Sequence, residues 1–116
     1  MTFTKISALF LLLVMELHAN EGALLFDGNC ATCHLQTKTL SAPSALEIQT
    51  SYKSAHADKK DFIASMSAWV AEPNAKTSRM PEAIKKHGLM PELGYDLQTL
   101  QAISAYIFES DFSKKI

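Results

Sequence analysis

Cys30-Ala31-Thr32-Cys33-His34 is the stretch on which the reading of this chain turns. Two cysteines three residues apart lie on one face of a helical turn, so both thiols can reach the same edge of a flat ligand. A Cys-x-x-Cys pair alone is ambiguous between a redox dithiol and half of a zinc site. A thioredoxin-like dithiol needs a βαβ pattern, which this chain lacks. Zinc needs four ligands, and His56 and His87 stand at no regular spacing from the cysteines. A plain disulfide stays open for an exported protein. The histidine directly after the second cysteine decides between them, because CxxCH is the spacing of covalent c-type haem attachment. Cys30 and Cys33 then reach the two vinyl groups along one haem edge, and His34 swings its imidazole under the iron.

Upstream of the motif, Lys5 precedes the apolar run Ile6 to Met15, and Ala19 offers a small residue before Asn20. Charge, short apolar core and small residue are the layout of a secretory signal. The run of ten is too short to span a bilayer, which takes about 20 apolar residues. The expected division is therefore a signal peptide over residues 1–19, cleaved near Ala19, and one domain over residues 20–116. No second apolar run follows, so the mature chain is expected to be exported, periplasmic and without stable membrane insertion.

Downstream, the pattern is helices joined by short loops, with little strand signal. A first helix is expected from Glu21 to about Thr32, and a short one opened by Pro43 through Gln49, with Lys53 to Asp58 as polar loop. Asp58 caps a helix with Phe62, Ile63, Met66, Trp69 and Val70 at helical spacing, stopped by Pro73-Asn74. Pro81 suits the first position of a short helix ending at Gly88. Met90-Pro91 reads as extended, since the residue before proline is pushed out of the α region. Asp96 caps the last helix, whose stripe is Leu97, Leu100, Ile103 and Ile107. The fold class is all-α.

Of 116 residues, 47% are hydrophobic and 20% charged, with a formal net charge of −1. That balance shows no basic stripe for a nucleic-acid partner. A domain this small buries a modest core and gains from an internal staple such as a cofactor.

The chain resembles the small monohaem class I cytochromes c, on Gly22 and Phe26 before the CxxCH motif, Pro43 after it, Met90-Pro91, and the closing Leu100, Ile103, Tyr106 and Ile107. The resemblance implies a helical wrap around one covalently attached haem, with the first and last helices crossing. It implies that Gly22 allows a close approach and that Phe26 packs near Tyr106. It also implies that the Pro43 carbonyl accepts a hydrogen bond from the His34 ring, which orients the imidazole and raises its basicity.

In that family the sixth iron ligand is usually a thioether, which raises the reduction potential. Outside the signal the methionines are Met66, Met80 and Met90. Met66 sits on the apolar side of a helix and reads as core. Met90 lies sixteen positions before Tyr106, near the interval familiar in small bacterial cytochromes, whereas Met80 lies twenty-six before it. Met90 is therefore the expected ligand with His34, and Met80 is expected to line the haem face. His56 and His87 compete as bis-His ligands, but Lys86-His87-Gly88 reads as solvent-facing. Tyr52 and Trp69 carry polar handles that such folds turn toward the haem propionates, with core packing as the plainer account of Trp69.

The function expected is a soluble, monomeric carrier of single electrons between redox proteins, such as a membrane respiratory complex or a peroxidase, and not an enzyme. Its alternative is a haem-containing oxidoreductase subunit or a gas-binding sensor with a labile sixth ligand. Lys59-Lys60, Lys76, Arg79 and Lys85-Lys86 read mainly as solvated surface, with steering of an acidic partner as the functional account.

Overall fold

The structure is a computed structural model that describes residues 21–113. The expected signal peptide, residues 1–19, lies outside the described residues. Five α-helices follow one another: α1 over residues 21–29, α2 over Ala45–Ala55, α3 over Lys59–Ala71, α4 over Pro81–His87 and α5 over Leu97–Glu109. A short 3₁₀ turn, Ala75–Thr77, joins α3 to α4, and no strand occurs among the described residues.

Helix boundaries follow local chemistry where a cap is written into the sequence. Asp58 accepts from the Asp61 amide and Asp96 from the Thr99 amide, each satisfying an otherwise orphan donor at a helix start. Pro81 opens α4, and Gly88 ends it with φ of +88°, a conformation glycine adopts without strain.

Two boundaries differ from the sequence reading. α1 ends at residue 29, and the CxxCH motif occupies the turn beyond it. Within that turn the His34 amide donates to the Cys30 carbonyl at 2.8 Å, so the motif still forms one helical turn. α2 is capped by Ser44, whose hydroxyl accepts from the Glu47 amide, so it starts at Ala45 and not at Pro43, and it runs to Ala55 instead of stopping at Gln49. Its second half is polar, but Tyr52 turns inward onto the Phe62 ring at 5.8 Å and Gln49 is buried. Tertiary packing of one face extends a helix whose composition alone would not sustain it.

The core is Phe26, Ala45, Tyr52, Phe62, Met66, Ile103, Ile107 and Phe112. α3 lies along α5, and Lys59 at the start of one pairs with Glu109 at the end of the other, so the two run antiparallel. Gln49 donates to the carbonyls of Ile107 and Ser110, both at 2.7 Å, and so satisfies acceptors left open at the end of α5. Phe112, beyond α5, folds back onto Phe26 and Tyr106, an addition the helical periodicity gave no means of reading. Leu97, assigned to the buried stripe, is instead 51% exposed at the first position of α5.

The first and last helices meet at Gly22. A Cβ there would stand 2.6 Å from the Ala102 carbonyl oxygen and 3.0 Å from the Tyr106 Cβ. Phe26, one turn on, packs on Tyr106 with ring centroids 5.4 Å apart. Both contacts match what the resemblance implied. Gly22→Ala is expected to destabilise the protein by about 1–3 kcal/mol, because backbone and Cβ atoms cannot step aside. Helix propensity alone would favour alanine by about 1 kcal/mol, so denaturant unfolding of the variant tests which effect wins by its sign.

Candidate functional site

Every helix contributes to one cavity of about 370 Å³ with an overwhelmingly apolar lining. The end of α1 and the following turn bring Phe26, Asn29, Cys30, Cys33 and His34. α2 adds Ile48 and Tyr52, and α3 adds Met66, Trp69 and Val70. α5 closes the wall with Leu100, Ile103, Ser104 and Ile107. The remaining side is α4 and its flanks, where Met80, Ala83, Ile84 and His87 recur at helical spacing, followed by Leu89, Met90 and Pro91. The volume is that of a small-molecule or cofactor pocket.

His34 is half-buried, and its Nδ1 donates to the Pro43 carbonyl at 2.8 Å. A carbonyl only accepts, so the proton sits on Nδ1 and the Nε2 lone pair is left free for a metal. The bond is built from the backbone outward. The Ala45 and Leu46 amides, donors without an intrahelical partner at the start of α2, reach back to the carbonyls of Leu35 and Gln36 at 2.8 and 3.0 Å. These two bonds close the loop after the motif and carry Pro43 over the imidazole.

Cys30 and Cys33 are both free thiols, Cys30 half-buried and Cys33 exposed. Burial first, and then the neighbouring Cys33, push the Cys30 thiol up from its ordinary value. A raised thiol pKa is the reverse of what a reactive redox dithiol needs. Among the described residues, no three His, Cys, Asp or Glu side chains gather into a metal-holding group.

The four candidate sixth-ligand side chains separate. Met80, Met90 and His87 line the cavity with His34, whereas His56 ends α2 away from it. His87 thus departs from the solvent-facing reading; it is half-buried, because the last turn of α4 presents it on the same stripe as Met80 and Ile84. Met66 is both core and cavity wall. The Trp69 indole N–H donates to the Asn74 carbonyl at 3.0 Å, so its polar handle is already satisfied by the chain. Tyr52 is buried, which pushes its phenol up to about 12 against an opposing effect of Arg79, and it stays neutral at ordinary pH.

Sequence reasoning passed over Ala83 and Ile84, yet a signal was there. Met80, Ala83, Ile84 and His87 form an i, i+3, i+4, i+7 stripe on a helix that Pro81 and Gly88 already delimited. It also passed over Asn29 and Tyr95, which no local pattern connects. Of the basic side chains, Lys59 pairs with Glu109, Lys85 with Glu82, and Lys53 lies over the Phe108 ring at 4.6 Å.

A helical domain that opens a CxxCH turn and a carbonyl-oriented histidine onto one apolar cavity has the architecture of a c-type haem domain. The family model described as Cytochrome c matches residues 19–110, and the chain belongs to the cytochrome c family. Its cofactor is covalently attached haem c, for which Cys30 and Cys33 stand in the CxxCH motif, and it is a haem-containing electron-transfer protein. Comparison with curated proteins and with solved structures finds no match.

Proposed function

We propose that this protein is an exported, periplasmic carrier of single electrons, its haem iron bound by His34 and Met90. The observation that carries the reading is that His34, held by Pro43 with Nε2 free, shares one apolar cavity with Met90. Haem c supplies a one-electron iron couple when bound. The chain's own part is to hold and shield it. Cys30 and Cys33 are the thiols that fix its edge, and the Pro43 carbonyl sets the tautomer and basicity of His34. The apolar walls exclude water, which tunes the potential. With His34 and Met90 both serving as iron ligands, the bound haem would offer no position to a substrate.

Partners are redox proteins, such as a membrane respiratory complex or a peroxidase, met by the monomer in brief encounters. Leu89 and Leu93 support this: they line the cavity mouth and are 47% and 45% exposed, giving an apolar contact close to the cofactor. Among the described residues no helix is long and apolar enough to cross a membrane.

Carbon monoxide offered to the ferrous holoprotein at neutral pH tests the carrier reading. A protein-filled sixth position leaves the visible spectrum unchanged. A carbon monoxide spectrum at micromolar gas would instead assign the site to a sensor or an oxidoreductase subunit.

A further inference from the structure

The segment from Gly88 to Asp96 carries Met90 between two helices and contains no regular structure of its own. Gly88 and Gly94, with φ of +88° and +76°, bracket it at conformations that other residues adopt only with strain. Its backbone amides and carbonyls at positions 89–95 form no ladder to anchor it. Among the described residues, one hydrogen bond ties positions 89–95 to the rest of the chain: the Tyr95 hydroxyl donates to Asn29 Oδ1 at 2.8 Å, across 66 positions of sequence.

Asn29 is itself held. Its Nδ2 donates to the Leu25 carbonyl at 2.8 Å, within the last turn of α1, and its neighbour in sequence is Cys30. It also lines the cavity. One side chain therefore connects the helix end that leads into the haem-attachment turn with the loop that bears Met90. We propose that Tyr95 and Asn29 are positioning residues: their hydrogen bond clamps the Met90 loop against the CxxCH end of the cavity and sets how often the sixth position opens. This rests on the reading of Met90 as the iron ligand.

A loop with few anchors opens locally at low cost, without unfolding the protein. A competing ligand binds only the open form, so its apparent affinity scales with the open fraction. Loss of one neutral, solvent-accessible hydrogen bond raises that fraction by about three- to tenfold. Either substitution removes the same inter-segment bond, so the double variant opens the loop no further than Asn29→Ala alone; Asn29→Ala also gives up the bond to the Leu25 carbonyl, which makes Tyr95→Phe the cleaner variant.

The probe is imidazole, titrated into the ferric holoprotein at neutral pH and followed by loss of the weak iron–sulfur charge-transfer band. Tyr95→Phe and Asn29→Ala are each expected to tighten imidazole binding by about three- to tenfold and to raise its saturating rate equally. The double variant matches Asn29→Ala. Gly22→Ala, destabilised at a distant contact, binds imidazole as the parent does, which separates clamping from general loosening. If Met90→Ala removes the band but Tyr95→Phe binds imidazole with parental affinity and rate, the clamp is overturned while the ligand reading stands. If Met90→Ala leaves the band intact, the ligand reading falls, and the clamp with it.

Discussion

Met90→Ala is expected to abolish the ferric iron–sulfur band of the holoprotein, whereas Met80→Ala leaves it in place. Both methionines precede a proline and both line the cavity, so composition and burial do not separate them. Their backbones do. Met80 is the cap of α4: its amide donates to Ser78 Oγ at 2.9 Å, and its carbonyl accepts from the Ala83 and Ile84 amides at 3.1 and 3.3 Å. That residue is pinned by the helix it starts. Met90 stands in a loop without regular structure between two positive-φ glycines, so no helix fixes its backbone as α4 fixes that of Met80.

Loss of the thioether should lower the reduction potential by about 0.1–0.3 V, a fraction of the roughly 0.8 V that axial ligands span. The sign follows from Met/His ligation raising the potential. Electrochemistry on the two variants measures it, and carbon monoxide binding to ferrous Met90→Ala should appear together with the drop. Should Met80→Ala carry both changes instead, the assignment reverses. A His87 ligand would leave both methionine variants without effect on the potential, which makes His87→Ala the informative third variant.

The chain with both attachment cysteines replaced, Cys30→Ala/Cys33→Ala, is expected to lack a cooperative unfolding transition. The reason is the cavity. Without the haem, the cavity of about 370 Å³ lets water onto an apolar wall contributed by all five helices. A small domain is stable by only about 5–15 kcal/mol, so leaving that wall wet removes a large share of what holds the fold. The aromatic contacts among Phe26, Tyr106 and Phe112, and among Tyr52, Phe62 and Phe108, are too few to replace it. Circular dichroism and thermal scans of the haem-free chain check this. A sharp native-like transition would mean that the helices hold one another without the cofactor.

The sequence-level expectations that held are those with a local physical cause. Asp58, Pro81, Gly88 and Asp96 bound their helices because a cap acts within three or four residues and needs no distant partner. CxxCH was legible for the same reason, since its chemistry lies within one turn. The reading of α2 failed where a long-range contact decided the outcome. Nothing between residues 45 and 55 reports that Tyr52 will meet Phe62, or that Gln49 will serve the end of α5.

His87 was misread in an instructive way. Its neighbours in sequence, Lys86 and Gly88, suggest solvent, but on α4 its neighbours in space are those three, four and seven positions back. Leu97 shows the converse error, an apolar residue at helical spacing that the first turn of α5 leaves outside.

By itself the sequence determined an all-α chain with a CxxCH haem-attachment turn, because caps, prolines and a five-residue motif act over distances that the covalent chain controls. Only the tertiary structure decided which side chains share the cavity, how the Pro43 carbonyl comes to hold His34, and that Asn29 meets Tyr95. Those contacts depend on how five helix faces pack at once, and packing is a property of volumes and distances that no window of sequence contains.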